Sequence, residues 1–265
     1  MATPTNVTFP NIVAGTLRID PNHSDTTQFG VYSTGTTKKH LLGTRYRVGD
    51  RVFRYARAGA ALNPQFGAKN WGQYSGVTGG NVTARAIGDT TVDILLDATT
   101  GAAAWFGTAN NMVGGFWCQP DGTCKQFRII VGHERGDNAD TIWLDLDGPI
   151  TRTMVATSFM EIAQNPYYDL RGTNNDYSSV MGVPVTAVAS GSYGWVQTWG
   201  PAWVAPNLPV SDTAKWRTTV FTGDGSLQSF EDATGETGHQ VAGFTIDRTG
   251  NGSDNPPFTY LQISP

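Results

Sequence analysis

Three stretches of this chain alternate apolar and polar residues with period two. Val92, Ile94 and Leu96 alternate with Asp93. Phe127, Ile129 and Val131 alternate with Gln126 and Arg128. Ile142, Leu144 and Leu146 alternate with Trp143, Asp145 and Asp147. Successive side chains of an extended strand point to opposite faces, so the pattern marks half-buried strands. Weaker segments of the same kind lie at 51–57, 81–87, 111–117, 185–189, 216–221, 240–247 and 258–263. Gly-rich connections separate them, and 32 Gly with 14 Pro supply many turns. The fold expected is all-β: an antiparallel β-sandwich or barrel with long loops and little helix. The best helical window, 153–164, has no cap pattern and ends at Asn165-Pro166, so it reads as one short helix or a strand.

The surface this fold presents is unusual. Only 15% of the 265 residues are charged, against the usual quarter or so. Thr, Ser, Asn, Gln and Gly must cover much of the outside, which disfavours long surface helices built on Lys, Glu and Arg. The net charge of −4 opposes nucleic acid as a main partner. No run of eighteen apolar residues exists, so no membrane-spanning helix is expected. Residues 1–45 contain few consecutive apolar residues and read as an extended N-terminal arm that orders on a partner. Residues 46–265 read as one β-rich domain, softly divided near 165–182. Met1 to Thr5 carry no basic or apolar leader pattern, so use from the cytoplasm is expected.

Catalytic and metal chemistry finds little support. Asp145 and Asp147 share one strand face, with Asp137 and Asp140 just before them, and paired acids can cleave glycosides. Acids on a solvent-facing strand are ordinary solvated positions, and that reading is preferred. His23, His40, His133 and His239 are scattered, and no GxSxG elbow or phosphate loop is present. Asp224 and the Asp247–Asp254 region are oxygen-rich turns without the EF-hand spacing. Cys118 and Cys124 flank a Pro-Asp-Gly turn. A local disulfide is geometrically possible, and two free thiols are expected in a reducing compartment. No catalytic residue, metal site or cofactor is expected.

Two segments look adhesive. Within 191–200, an extended strand puts Tyr193, Trp195, Gln197 and Trp199 on one face, and Trp203 follows. Such a row fills a core or a subunit interface, or stacks on sugars. Within 45–59, Arg45, Arg47, Arg51, Arg54 and Arg57 interleave with Tyr46, Phe53 and Tyr55. That is either a strand docking on an acidic partner through planar guanidinium groups or a solvated strand face. The candidate interface residues are therefore Arg45, Arg51, Phe53, Arg54, Tyr55, Arg57, Tyr193, Trp195, Trp199 and Trp203.

Several segments together resemble virion structural proteins of tailed bacteriophages. They are Thr36 to Arg45 running into Gly49 to Gly59, Val113 to Phe116, Arg128 to His133, Leu146 to Pro149, Gly182 to Pro184, and Gly194 to Pro201. Spread over about 36–205, they look like head decoration (cement) proteins. The resemblance implies a non-enzymatic β-rich homotrimer on the outer capsid surface, assembled in the host cytoplasm and bound to the major capsid protein. It offers no catalytic residues to carry over. Residues 206–265 lie beyond it and leave room for host contact. The alternative is a tail-fibre-like or surface lectin that stacks Tyr193, Trp195, Trp199 or Trp203 on host glycan.

Overall fold

A computed structural model describes residues 30–71, 74–77, 83–95, 110–120, 126–135, 141–156, 158–172, 178–207, 217–230, 240–247 and 258–265. Among them every regular element is a strand, and the strands form two curled antiparallel sheets. The all-β expectation holds. The window 153–164 resolves to a strand, β9 (Met160–Ala163), in line with its lack of a helix cap.

The chain starts and ends in the same sheet. β1 (Arg45–Val48), β2 (Arg51–Arg57) and β3 (Ala68–Asn70) belong to a ten-stranded sheet. The chain then leaves to build a six-stranded sheet. Its strands are β4 (Tyr74–Val77), β5 (Thr91–Leu95), β6 (Phe116–Gln119), β7 (Gln126–Arg135), β8 (Thr141–Leu146) and β9, in the order β4-β9-β6-β7-β8-β5. It returns as β10 (Leu170–Arg171), β11 (Val180–Pro184), β12 (Tyr193–Trp203), β13 (Thr218–Phe221), β14 (Leu227–Ser229), β15 (Val241–Asp247) and β16 (Phe258–Gln262). The six-stranded sheet is thus an insertion, and its two ends are joined: β3 pairs with β10 through Leu170↔Asn70 and Arg171↔Lys69. The return crossing lies at the start of the 165–182 loop, and the outward crossing at 71–74 left no mark in the sequence.

Each sheet has its own core. Val92, Ile94, Trp117, Ile130, Ile142, Leu144 and Ile162 close one face of the inserted sheet against Met112, Ile150 and Met154 from its loops. In the larger sheet, Val183, Val204, Phe221, Leu227, Ala242 and Leu261 form one cluster. β2 is buried on both faces: Ala56 joins Leu62, Leu170 and Val196 on one side, and Phe53 and Tyr55 join Tyr46 and Trp195 on the other.

Asn165 fastens the neck of the insertion. Its Nδ2 donates to the Leu42 and Val113 carbonyl oxygens at 3.1 and 3.4 Å, and its Oδ1 accepts from the Tyr167 N–H at 2.9 Å. The side chain is buried. One amide therefore ties together the N-terminal segment, the inserted sheet and the returning chain.

Residues 30–44, part of the stretch read as an arm, lie on the chain's own sheet. Gly35 bridges Tyr193, and Gly43 N–H donates to the Tyr55 carbonyl at 2.8 Å. Val31 is 1% exposed. The buried partner of this segment is the β2–β12 aromatic face. Residues 1–29 lie outside the described residues.

Candidate docking surface

The ten residues singled out from the sequence divide by the face they occupy. Trp195 stands opposite Tyr55 in the β12–β2 pairing, and Gln197 opposite Phe53. Tyr193 stacks on Tyr55 with centroids 5.9 Å apart, and Trp195 meets the Tyr55 edge at 5.2 Å. His40 from the overlying segment packs on both rings, and burial lowers its pKa. Phe53, Tyr55 and Trp195 are wholly inside. They set the position of their neighbours and offer no surface of their own.

The arginines are largely engaged within the chain. Arg54 donates to the Gly43 and Pro265 carbonyl oxygens at 3.2 and 3.1 Å and to Ser264 Oγ at 3.3 Å. The Arg57 guanidinium lies 4.8 Å from the Tyr168 ring centre. Arg51 Nε donates to Gln197 Oε1 at 2.9 Å, and its Cζ sits 4.8 Å from the Phe53 ring. Arg45 is exposed on β1. The sequence cluster is therefore not one basic strip: residues 51 and 57 share the aromatic face of β2, and residue 54 points to the opposite side.

Trp199 and Trp203 leave the row that Tyr193 and Trp195 begin. The β12–β2 register slips between Gln197 and Trp199, and an extra residue in one strand reverses the side-chain alternation beyond it. Beyond the bulge β12 pairs with β16, with Trp199↔Gln262 and Trp203↔Phe258. Gly200 makes the bend possible. It sits at φ +86°, and a Cβ there would lie 2.3 Å from the Asp50 carbonyl oxygen.

This second half of β12 belongs to an aromatic face that the sequence reading missed. Phe244 on β15 stands opposite Tyr260 on β16 and stacks on it at 5.3 Å with ring planes 6° apart. Trp199 meets the Tyr260 edge at 5.9 Å, and Trp203 packs on Phe258 at 6.1 Å. Trp203 is 52% exposed, and Phe244 and Ile246 are about 40% exposed. The strands at 240–247 and 258–263 were legible, but alternation assigns their large residues to the core. Here Ala242, Thr245, Thr259 and Leu261 point inward instead.

β7 shows the same inversion. Its apolar row, Phe127, Ile129 and Val131, faces outward and is 54%, 39% and 53% exposed. Gln126 and Ile130 are inside. Gln126 is accommodated because its amide is saturated. Nε2 donates to Gln119 Oε1 at 2.5 Å and to the Arg152 carbonyl at 3.2 Å, and Oε1 accepts from Thr151 N–H at 2.8 Å. Phe116 extends the outer row by stacking on Phe127 at 5.4 Å.

The candidate polar sites are occupied by local contacts. Asp145 Oδ1 accepts from Thr91 Oγ1, and Asp147 Oδ1 from the Ile129 N–H, both at 3.0 Å. Asp224 Oδ1 accepts from Thr222 Oγ1, Ser226 Oγ and Ser226 N–H at 2.6, 2.6 and 2.9 Å. Burial alone raises that carboxyl's pKa, and the three hydrogen bonds outweigh it and hold it low. Cys118 carries a free thiol whose pKa is raised by burial and by the neighbouring Glu161 carboxylate. Cys124, His23, His239, Asp137, Asp140 and Asp254 lie outside the described residues. Among the described residues no three His, Cys, Asp or Glu side chains converge as a metal site, and no helix is long and apolar enough to cross a membrane.

No family model, curated protein or solved structure matches this chain. Its own surface is what can be read: two sheets, each turning a row of large apolar side chains outward. An exposed row of large apolar side chains is the kind of surface that interaction sites use.

Proposed function

We propose that this chain is a non-enzymatic structural protein that decorates and stabilises a tailed-bacteriophage capsid, binding the major capsid protein as an oligomer on the outer shell. The capsid as partner rests on the sequence resemblance. The observation that carries an adhesive role is the aromatic face of Trp199, Trp203, Phe244, Phe258 and Tyr260 on three adjacent strands. Aromatic side chains are enriched at protein interfaces because each buries a large area at low cost in conformational freedom.

A regular capsid lattice suits such a face. Repeated copies multiply modest contacts into firm attachment, so each subunit can do without a deep pocket. Asp145, Asp147 and Asp224 favour the structural reading too, since each accepts hydrogen bonds that fasten its own strands or turn.

The test is sedimentation of the purified chain with undecorated phage heads. The expected result is co-pelleting with the heads, lost in a Phe244→Ser/Ile246→Ser double variant whose melting temperature is unchanged. A wild-type chain that stays in the supernatant overturns the reading.

A further inference from the structure

Beside the aromatic face, and sharing Trp203 and Phe258 with it, lies a groove of about 460 Å³. Tyr32, Arg51, Gln65, Gln197, Trp203 and Phe258 line it, with Pro64, Pro184 and Pro201 among its walls. Arg51 is the only charged side chain among the described residues that line it. The volume lies in the range of small-ligand sites.

Arg51 is held in place from three directions. Its Nε donates to Gln197 Oε1 at 2.9 Å, its Nη1 donates to Tyr32 Oη at 3.3 Å, and its Cζ lies 4.8 Å from the Phe53 ring centre. Gln197 is itself oriented. Its Nε2 donates to the carbonyl oxygens of Trp199, Gly200 and Pro201 at 3.0, 3.2 and 2.8 Å, which turns Oε1 toward Arg51. Gln197 is 1% exposed, so this relay sits in the wall and Arg51 fronts it. These contacts use Nε and one Nη1 hydrogen. Three guanidinium hydrogens remain, one on Nη1 and two on Nη2, and one from each nitrogen can meet a carboxylate in the guanidinium plane.

We propose that this groove binds a carboxylate-bearing saccharide, with the acid on Arg51 and the sugar ring against Trp203. The exposed indole supplies the flat apolar wall on which the C–H face of a pyranose packs, and Tyr32 and Gln65 supply hydroxyl partners at the rim. An acidic peptide fits less well. Peptides that add to a sheet edge rely on main-chain hydrogen bonds, and three of the wall residues are prolines, which have no N–H to give. The acidic balance of the whole chain, −4, makes the single fixed cation in this groove stand out as the selective element.

The experiment is calorimetric titration of the full chain with methyl β-glucuronide and with N-acetylneuraminic acid, using methyl β-glucoside as the neutral control. The expected result is a dissociation constant of about 1 mM for at least one acidic sugar and binding at least about tenfold weaker for the neutral one. Arg51→Lys keeps the charge but loses the fork, and Trp203→Ala removes the platform. Each is expected to weaken the acidic sugar about tenfold or more. Trp203 is half exposed, so its variant is expected to keep the wild-type melting temperature. Equal binding of acidic and neutral sugars overturns the proposal. So does binding unaffected by both variants, or binding of a poly-glutamate peptide in place of any saccharide. The titration uses no phage heads, so its failure leaves the capsid reading standing, and failed co-sedimentation leaves the groove standing.

Discussion

Trp195 shows how much one residue in this chain depends on its neighbours. Its indole is enclosed by His40, Tyr46 and Tyr55, and it is the pivot of the cluster that holds residues 30–44 down. Trp195→Ala is expected to cost about 3–5 kcal/mol of unfolding free energy through lost burial and a residual cavity, measured by urea unfolding. Asn165 acts through hydrogen bonds instead. Asn165→Ala leaves the Leu42 and Val113 carbonyls and the Tyr167 N–H without their side-chain partner, with an expected cost of about 1–3 kcal/mol. His133 gives the protein a pH response. It is fully buried in the inserted sheet, and desolvation lowers its pKa from the usual 6.5 to about 4. The unfolded chain therefore binds more protons than the folded one between those values. Stability is expected to be full above about pH 6.5 and to fall as the pH drops toward 4. A His133→Gln variant should flatten the melting-temperature profile across that window.

At the scale of elements, the instructive strand is β7. Alternation identifies it as a strand but places Phe127, Ile129 and Val131 inside. The reverse holds because Gln126 and Gln119 find buried partners and because the register slips between Ile130 and Gly132. That slip brings His133 inward after Ile130, so the two ends of β7 follow opposite phases. A direct comparison checks it. Ile129→Thr is expected to change stability by less than about 0.5 kcal/mol, as a surface substitution does, whereas Ile130→Ala is expected to cost about 2–5 kcal/mol. β12 carries another slip, which sends Trp195 into the core and Trp203 to the surface. Both strands were visible in the sequence. Their phases were not, because a bulge depends on what the partner strand presents.

For the whole molecule, the insertion of one sheet into another determines which faces are left uncovered. β3 and β10 close the neck, so each sheet builds its own core and turns aromatic or aliphatic rows outward on strands that nothing covers. An exposed row of this kind favours self-association. Light scattering is expected to give a mass near three times 28.5 kDa, as the homotrimer implied by the family resemblance requires, and the melting temperature is expected to rise with protein concentration. A clean monomer with a concentration-independent melting temperature counts against the trimer.

The sequence by itself determined the class of this protein. Period-two alternation, abundant turn residues and few charges admit strands and little else, because those properties belong to each segment alone. Val92, Ile94, Ile142, Leu144 and Leu146 even face the core as alternation assigns them. The tertiary structure decided the rest: that Trp195 is core and Trp203 is surface, that Phe244 and Tyr260 stack in the open, and that Arg51 fronts a groove while Arg54 ties down Pro265. Those outcomes turn on register slips and on contacts between residues from 16 to more than 200 positions apart. A strand's own residues state its period, but which of its two faces is covered depends on what packs against it.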